Sequence, residues 1–540
     1  MSEVIISKKQ EAIDFIYSSY LKAEKYIPYE EKDALRRSPD LLAGELNDEA
    51  FGGSTNVLVT GSKGKGSTAR FIAALLSGLI ATDHATENIN YDNIHQVFQN
   101  KNIEYSGVRC NNTVGLVTSP EVLDFCDRIQ TVETVSDADG KTKTTFSRIS
   151  DEDFVREISE IAPKIKEIGA ALPKNKYVSP IGIVALAAQR YFSKENQKND
   201  SDQLNEHLFC DEKPDNKAFK NSITYKVFEC GKGAKYDDTN RIKHEVSVVT
   251  PIFLEHKREL GDTIEEIAED KTCIVTDDVK ACVSGKQEES VAEILEKRCR
   301  EKQAEFYLYG RDFSAENIRI VGGKTVFNFE SYAPVQIRLD GIEIPLLGDF
   351  QAENAATAIE TVLAAQQLHL LNDLPFGVFF RADKMNSAFA SVTYPGRLEV
   401  FRKSSLVVID NTINRASAEN IRQILIELLR QTQSKGDSIN QPDEKYSLVL
   451  SIPNDKDFVG IAEVFKDIVD EIYLMPLKNP HYRIDAEAEK EILQTNFADA
   501  SAKCNMINED EISNFVHETK KPLLFCGVTA MVKEVHEVLQ

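Results

Sequence analysis

The 540-residue sequence is short of positive charge: 64 lysines and arginines stand against 87 aspartates and glutamates, a net charge of −23. A chain this acidic excludes broad wrapping of DNA or RNA, because a phosphate backbone needs a basic surface. It leaves room for a local positive pocket that takes a small anion such as a nucleotide. The nine cysteines are scattered and form no C-x-x-C pair, which argues against a disulfide framework or a zinc site. Reduced thiols fit a cytoplasmic protein. No apolar run reaches the roughly 18–20 residues needed to span a bilayer, so no membrane partner is expected. The N-terminal segment carries Glu3, Glu11 and Asp14 among its apolar residues. It reads as the start of an amphipathic helix, neither a signal nor a transit peptide. No repeat of solenoid length is visible.

What is present is an ordinary soluble balance, 42% hydrophobic and 28% charged, and a chain long enough for two large α/β domains. Short apolar strands alternate with helical periodicity, the signature of a parallel sheet with crossover helices. Asn56–Thr60 (NVLVT) precedes a helical stretch over Ala69–Ile80, and Val114–Thr118 precedes a helix-like Glu121–Ile129. Tyr225–Glu229 and Val246–Thr250 are further strands, and Ala352–Gln367 is a long Ala-rich helix. A second set runs through Leu398–Phe401, Leu406–Ile409, Tyr446–Ser451, Glu471–Leu474 and Leu523–Phe525. Asp83–Tyr105, Thr134–Thr145, Glu195–Lys220 and Gln431–Glu444 read as polar surface insertions, the third as disordered. The expected domains are 1–393 and 394–540, with the break near Ser391–Pro395.

NVLVT runs straight into Gly61-Ser62-Lys63-Gly64-Lys65-Gly66-Ser67-Thr68 and then a helix. Glycines there let backbone N–H groups approach phosphate oxygens, and the helix N-terminus adds the positive end of its dipole. Lys65 reaches terminal phosphates, and Ser67 or Thr68 can touch Mg²⁺. The strict Walker pattern fails, since it needs a glycine at Val59 and a hydroxyl residue at Gly66. The expectation is a triphosphate site of a variant kind.

That loop, G-[ST]-x-G-K-G-S after a strand, resembles the folylpolyglutamate and dihydrofolate synthases of the Mur ligase superfamily. Thr118-Ser119-Pro120 resembles their T-S-P-H-L, and Glu229 through Asn240 resembles E-V-G-L-G-G-R-x-D-A-T-N. His256–Lys271 resembles the D-H-x-x-x-L-G-x-T-x-x-x-I-A-x-E-K segment, and Gly348–Ala358 resembles G-x-H-Q-x-x-N-A-x-x-A. Tyr394–Glu399 resembles W-P-G-R-x-E, and Asp455-Lys456-Asp457 matches a D-K-D element. The resemblance implies an α/β fold: a Mur-ligase-like, P-loop-type parallel-sheet ATPase domain followed by a smaller Rossmann-like C-terminal domain. It implies an ATP- and Mg²⁺-dependent ligase, acting as a monomer, that joins L-glutamate to a folate or pterin carboxylate through an acyl phosphate. It further implies that Gly61, Lys63, Gly64, Lys65, Gly66, Ser67 and Thr68 hold the nucleotide phosphates. Glu229 and Ser119 are the implied ligands of one Mg²⁺, and His256 of a second. Lys271 is the lysine this superfamily often carries as a carbamate, Asn354 an adenine contact, Arg397 a phosphate contact and Asp410 a ribose contact. The same resemblance implies that Gln351 assists Asn354.

The resemblance also breaks. The D-G-A-H-N-P motif reads Asp410-Asn411-Thr412-Ile413-Asn414-Arg415, so an isoleucine stands where the family has histidine. Ser179-Pro180-Ile181-Gly182 stands where an aromatic followed by Glu is usual, Phe350 where histidine is common, and Glu121 where T-S-P-H-L has histidine. Three readings follow: a folate-type glutamate ligase, a Mur-superfamily ligase for another carboxylate and amine, and a catalytically weakened ATP-binding protein.

Overall fold

The computed structural model describes residues 6–28, 31, 33–81, 113–121, 123–136, 142–206, 223–371, 380–402, 405–432, 444–478, 484–496 and 503–539. Eight strands come first: β1 (Thr55–Thr60), β2 (Val114–Val117), β3 (Ile129–Ser136), β4 (Thr142–Arg148), β5 (Tyr225–Glu229), β6 (Val246–Val249), β7 (Ala281–Ser284) and β8 (Glu305–Leu308). They form one sheet in the order β4-β3-β2-β5-β1-β6-β7-β8. All neighbours are parallel except at β2/β3 and β3/β4. Successive side chains of a strand point to opposite faces, and both faces here are covered. Val57 and Val59 pack with Phe71, Ile72 and Leu75 of the Lys65–Ala81 helix, while Leu58 and Phe228 join the cluster on the other face. Burial on both faces explains why β1 and β5 read as unbroken apolar runs.

A three-stranded antiparallel sheet follows, made of β9 (Phe313–Val321), β10 (Lys324–Ser331) and β11 (Ile337–Ile344). The buried helix Asp349–Gln367 packs against it and against the Lys65–Ala81 helix. The last sheet contains β12 (Glu399–Arg402), β13 (Leu406–Asp410), β14 (Tyr446–Ser451), β15 (Val469–Leu474), β16 (Lys503–Met506) and β17 (Leu523–Gly527), in the order β12-β13-β17-β14-β15-β16. Only β12 runs antiparallel in it.

Three expectations are corrected. Thr134–Thr145 is no coreless insertion: its described residues belong to the β3–β4 hairpin, whose Val132 and Phe146 pack into the core beside Phe71. Glu121–Ile129 is no helix. Asp124 accepts from the Cys126 amide and Asp127 caps the Asp124 amide, closing a single tight turn over Phe125–Arg128 that feeds β3. The alternation of strand and helix also hid the antiparallel β9–β11 sheet. Of the other insertions, 195–206 continues the Pro180–Glu206 helix and Gln431 ends the Arg415–Thr432 helix. The stretches 83–105, 207–220 and 433–443 lie outside the described residues. Among the described residues no helix is long and apolar enough to cross a membrane, and the seven described cysteines are free thiols.

Candidate active site

Parallel register puts the site at one edge of the first sheet. Val59 pairs with Glu229, Thr60 with Val249 and Val117 with Phe228. The residues that leave these strands, Gly61, Ser119, Cys230 and Thr250, therefore emerge together at the carboxyl ends, where ligands of open α/β sheets bind.

The loop after β1 is held by three neighbours, each seated on a glycine. Gly61 has φ +134°, and a Cβ there would lie 2.0 Å from the Thr250 hydroxyl. Gly64 has φ +91°, and its Cβ would lie 2.4 Å from Asn354 Oδ1. At Gly66 the Cβ would lie 2.4 Å from the Tyr394 hydroxyl. Asn354 is steadied by its own donation to Gln351 Oε1 (3.2 Å). Lys65 Nζ turns back on the Gly61 and Ser62 carbonyls (3.1 and 3.4 Å). Ser67 and Thr68 are buried, and Thr68 Oγ1 has no partner among the described residues. Lys63 is exposed and lies over the Phe253 ring.

Beside the loop, Glu229 is buried and accepts from the Ser119 amide (2.9 Å). Burial pushes its carboxyl above the usual range, opposed by the charges of Lys65, Arg70 and Arg397. Arg397 lies over the Tyr394 ring at 5.4 Å and also faces Asp410. Asp410, at the end of β13, accepts from the Leu398 amide (2.9 Å) and from the Thr412 hydroxyl. Burial raises its carboxyl as well. Residues distant in sequence thus meet around Glu229: the loop lysine, the Ser119 turn and the Tyr394–Arg397 segment.

A second group borders the loop on its other side. Lys271 is fully buried near the end of the capped helix Ile264–Thr272. Its Nζ donates to the Gly61 carbonyl (2.7 Å) and lies 3.4 Å from Glu255 Oε1. Burial, reinforced by the Lys65 charge, pushes it down to about 8. His256 takes a left-handed φ of 46° at the start of the short Lys257–Leu260 turn. It shares the field of Glu255, Glu259 and Lys271, with burial lowering its pKa. No group of three carboxylate, imidazole or thiol ligands converges at Glu229 or His256 among the described residues. The one group that does is Asp124, Cys126 and Asp151. Lys9 already bonds both of its carboxylates (2.6 and 3.0 Å) and Arg148 adds to them, so a protein cation fills that place.

The sequence reading missed a cavity of about 520 Å³ bordered by Arg37, Ser38, Lys176, Lys235, Tyr236 and Arg241. Its floor is the loop after β5, tied to the site because Asp270, next to Lys271, accepts from the Ala234 and Lys235 amides (2.8 and 3.3 Å). Four cations stand around this cavity against one lining carboxylate, Asp40, which pairs with Arg241 (2.9 Å), a local inversion of charge in so acidic a chain. Nothing in the local pattern of Arg37 announced it.

The departures from the family motifs are built into packing. Glu121 pairs with the buried Arg128. Phe350 packs with Leu347 and Ile424 against the last sheet. Gly182 has no room for a Cβ, because Asp238 Cγ stands 2.8 Å from that point. Arg415 pairs with Glu463, Asn414 accepts from the Ser417 amide (2.9 Å), and Ile413 just before them is half-buried.

Residues 165–362 match the Mur ligase middle domain family. The folylpolyglutamate synthase of Lacticaseibacillus casei is 29% identical over 46% of this chain and 53% of its own length. The dihydrofolate synthase/folylpolyglutamate synthase of Mycobacterium tuberculosis is 30% identical over 48% of this chain and 50% of its own. The chain thus spans about half the length of these two curated relatives. In structure it is similar to a solved M. tuberculosis folylpolyglutamate synthase complexed with ADP and AMPPCP, at a TM-score of 0.66 and 21% identity, covering 97% of this chain and 99% of that one. The glycine loop on its parallel sheet and the strand-end Glu229 stand beside these likenesses: over residues 165–362 the chain matches the Mur ligase middle domain, and over about half of its length it is similar to folylpolyglutamate and dihydrofolate synthases.

Proposed function

We propose that the chain is an ATP-dependent amide ligase that adds L-glutamate to a folate or pterin carboxylate. The observation that carries this reading is the convergence of Lys65, Arg70 and Arg397 on Glu229 at the end of the glycine loop. Two anions, a triphosphate and a carboxylate, must meet there, and only a set of cations makes that approach tolerable. An oxygen of the acid attacks the γ-phosphorus, the bond to the ADP oxygen breaks, and ADP leaves. The amine nitrogen of glutamate then attacks the acyl carbon, inorganic phosphate departs, and the nitrogen gives up its proton.

The loop Gly61–Thr68 cradles the phosphates, Asn354 contacts the adenine, Arg397 the phosphates and Asp410 the ribose. The donor set fits Mg²⁺, which takes oxygen ligands: the buried Glu229 carboxylate, the adjoining Ser119 hydroxyl and the unpartnered Thr68 hydroxyl are all hard oxygens. Glu229 with Ser119 would hold one ion, and His256 with a carbamylated Lys271 a second. When bound, the metal neutralises phosphate charge. The basic cavity at Arg37, Lys235 and Arg241 suits an acid substrate that carries carboxylates. The same proposal divides the chain into 1–393 and 394–540 and has it act as a cytoplasmic monomer on small molecules.

A second reading, a ligase for a different amine, is favoured by Ile413, an apolar side chain where the family pattern has histidine. ADP release measured with folate and glutamate, each omitted in turn, and then with a panel of amino acids, tests both. Turnover that needs folate and glutamate supports the first reading. Turnover only with another amine supports the second.

A further inference from the structure

Arg70 is a buried cation that forms no ion pair among the described residues, though it lies in the field of Glu229 and Asp127. It lies on the Lys65–Ala81 helix just beyond Ser67 and Thr68, 7% exposed. Side chains on a helix lean toward its N-terminus, which carries this one back toward the phosphate loop. Its single hydrogen bond among the described residues runs from Nη1 to Gln130 Oε1 (2.8 Å), and Nε is buried with no partner. The guanidinium stacks on Tyr394 at 4.9 Å, and Arg397 takes up the same ring at 5.4 Å. Tyr394 in turn seats its hydroxyl on Gly66. One tyrosine therefore sets two guanidiniums beside the loop, both in the field of Glu229.

A structural arginine buried to this degree finds a carboxylate. Arg128 does so in this chain, with a side chain 8% exposed and paired to Glu121. Breaking such a pair is costly because a buried charge is left uncompensated. Among the described residues Arg70 has no such direct pair, and one of its five N–H groups is used. A planar guanidinium fork with free donors matches phosphate oxygens.

We propose that Arg70 is a third cation of the phosphoryl-transfer site, donating to the γ-phosphoryl group as it passes from nucleotide to acid, with Tyr394 as the platform that aims it. The proposal rests on the ligase reading and assigns it a residue that none of the family motifs above contains.

The test is equilibrium binding of ADP and of AMPPCP, each with Mg²⁺, to the full wild-type chain and to Arg70→Gln and Arg70→Lys. Losing a charged donor to phosphate should weaken AMPPCP binding roughly 10- to 100-fold in Arg70→Gln. ADP affinity, which lacks the γ-group, should stay within about twofold of wild type. That retained ADP binding also certifies the fold, which a merely structural role would not leave intact. Arg70→Lys should fall between, since it keeps the charge and loses the fork. If Arg70→Gln still binds measurably, equal losses for both nucleotides, or none, would overturn the role. If Arg70→Gln binds neither nucleotide, Arg70→Lys decides: a selective AMPPCP loss supports the role and its absence overturns it. A wild-type chain that binds neither nucleotide overturns the ligase reading, and this role with it.

Discussion

Lys271 and Lys65 turn their Nζ atoms on one carbonyl oxygen, that of Gly61, from 2.7 and 3.1 Å. Lys271 is fully buried and Lys65 half-buried, and Lys271 yields: burial and the Lys65 charge outweigh the Glu255 carboxylate and bring it down to about 8. A neutral amine is what adds CO₂, giving a carbamate and a proton.

Lys271 is therefore expected to make activity depend on bicarbonate. Turnover should fall in CO₂-depleted buffer and return on adding bicarbonate, more fully as pH rises through about 8. Lys271→Ala should be inactive and partly rescued by a short-chain carboxylate. The stability linkage has a definite sign. A lysine lowered from 10.5 to about 8 contributes fully above 10.5, and its contribution is lost as pH falls through about 8. Thermal unfolding of wild type should thus gain stability between those two values relative to Lys271→Met. Identical pH profiles would remove the buried ammonium from the account.

Lys65→Ala should abolish ATP-dependent turnover and leave the melting temperature close to wild type. Among the described residues its ammonium donates only to the Gly61 and Ser62 carbonyls, and Lys65 is not part of the buried core. Full activity in this variant would take the loop out of the mechanism.

Glu229→Gln keeps an acceptor for the Ser119 amide while deleting the charge. The Mg²⁺ concentration for half-saturation of nucleotide binding should rise roughly 10- to 100-fold, with the fold retained. Because burial raises the Glu229 carboxyl, protons compete with Mg²⁺ for it more strongly than for an ordinary glutamate, so Mg²⁺ affinity in wild type should fall as pH drops. The variant should lose that dependence. An unaltered magnesium titration would contradict the assignment.

Ile413→His separates the two substrate readings. Asp410 and Asn414 keep the frame of the motif through their bonds to Leu398, Thr412 and Ser417. If glutamate is the amine, the added donor should lower its KM. If the apolar side chain belongs to the pocket of another amine, a polar group without a partner should cost on the order of 1–3 kcal/mol in that reaction. Kinetics with both amines decide, and no change in either would place residue 413 away from the substrates.

The phosphate loop and Glu229 were legible in the sequence because a strand end followed by a glycine turn is a local pattern, and parallel pairing brings such ends to one edge; Ser119 was legible only through its motif. Lys271 was legible only through its motif, since among Glu265, Glu266, Glu269 and Asp270 it reads as a solvated helix lysine. Arg70, and its stacking on the motif residue Tyr394, could not be read: that pairing joins a helix of the first sheet to the segment leading into the last. The β9–β10 hairpin did carry a signal, the Gly322–Gly323 turn with both φ positive (59° and 78°) between alternating strands. The Arg37 cavity is a product of tertiary assembly and has no local signature.

The central claim is tested most directly by the mass of the product formed from folate, L-glutamate and MgATP. The account predicts a product heavier by one or more glutamyl residues, with one ADP and one phosphate released per addition and none when folate or glutamate is omitted. Nucleotide binding with no acid- and amine-dependent product would contradict it.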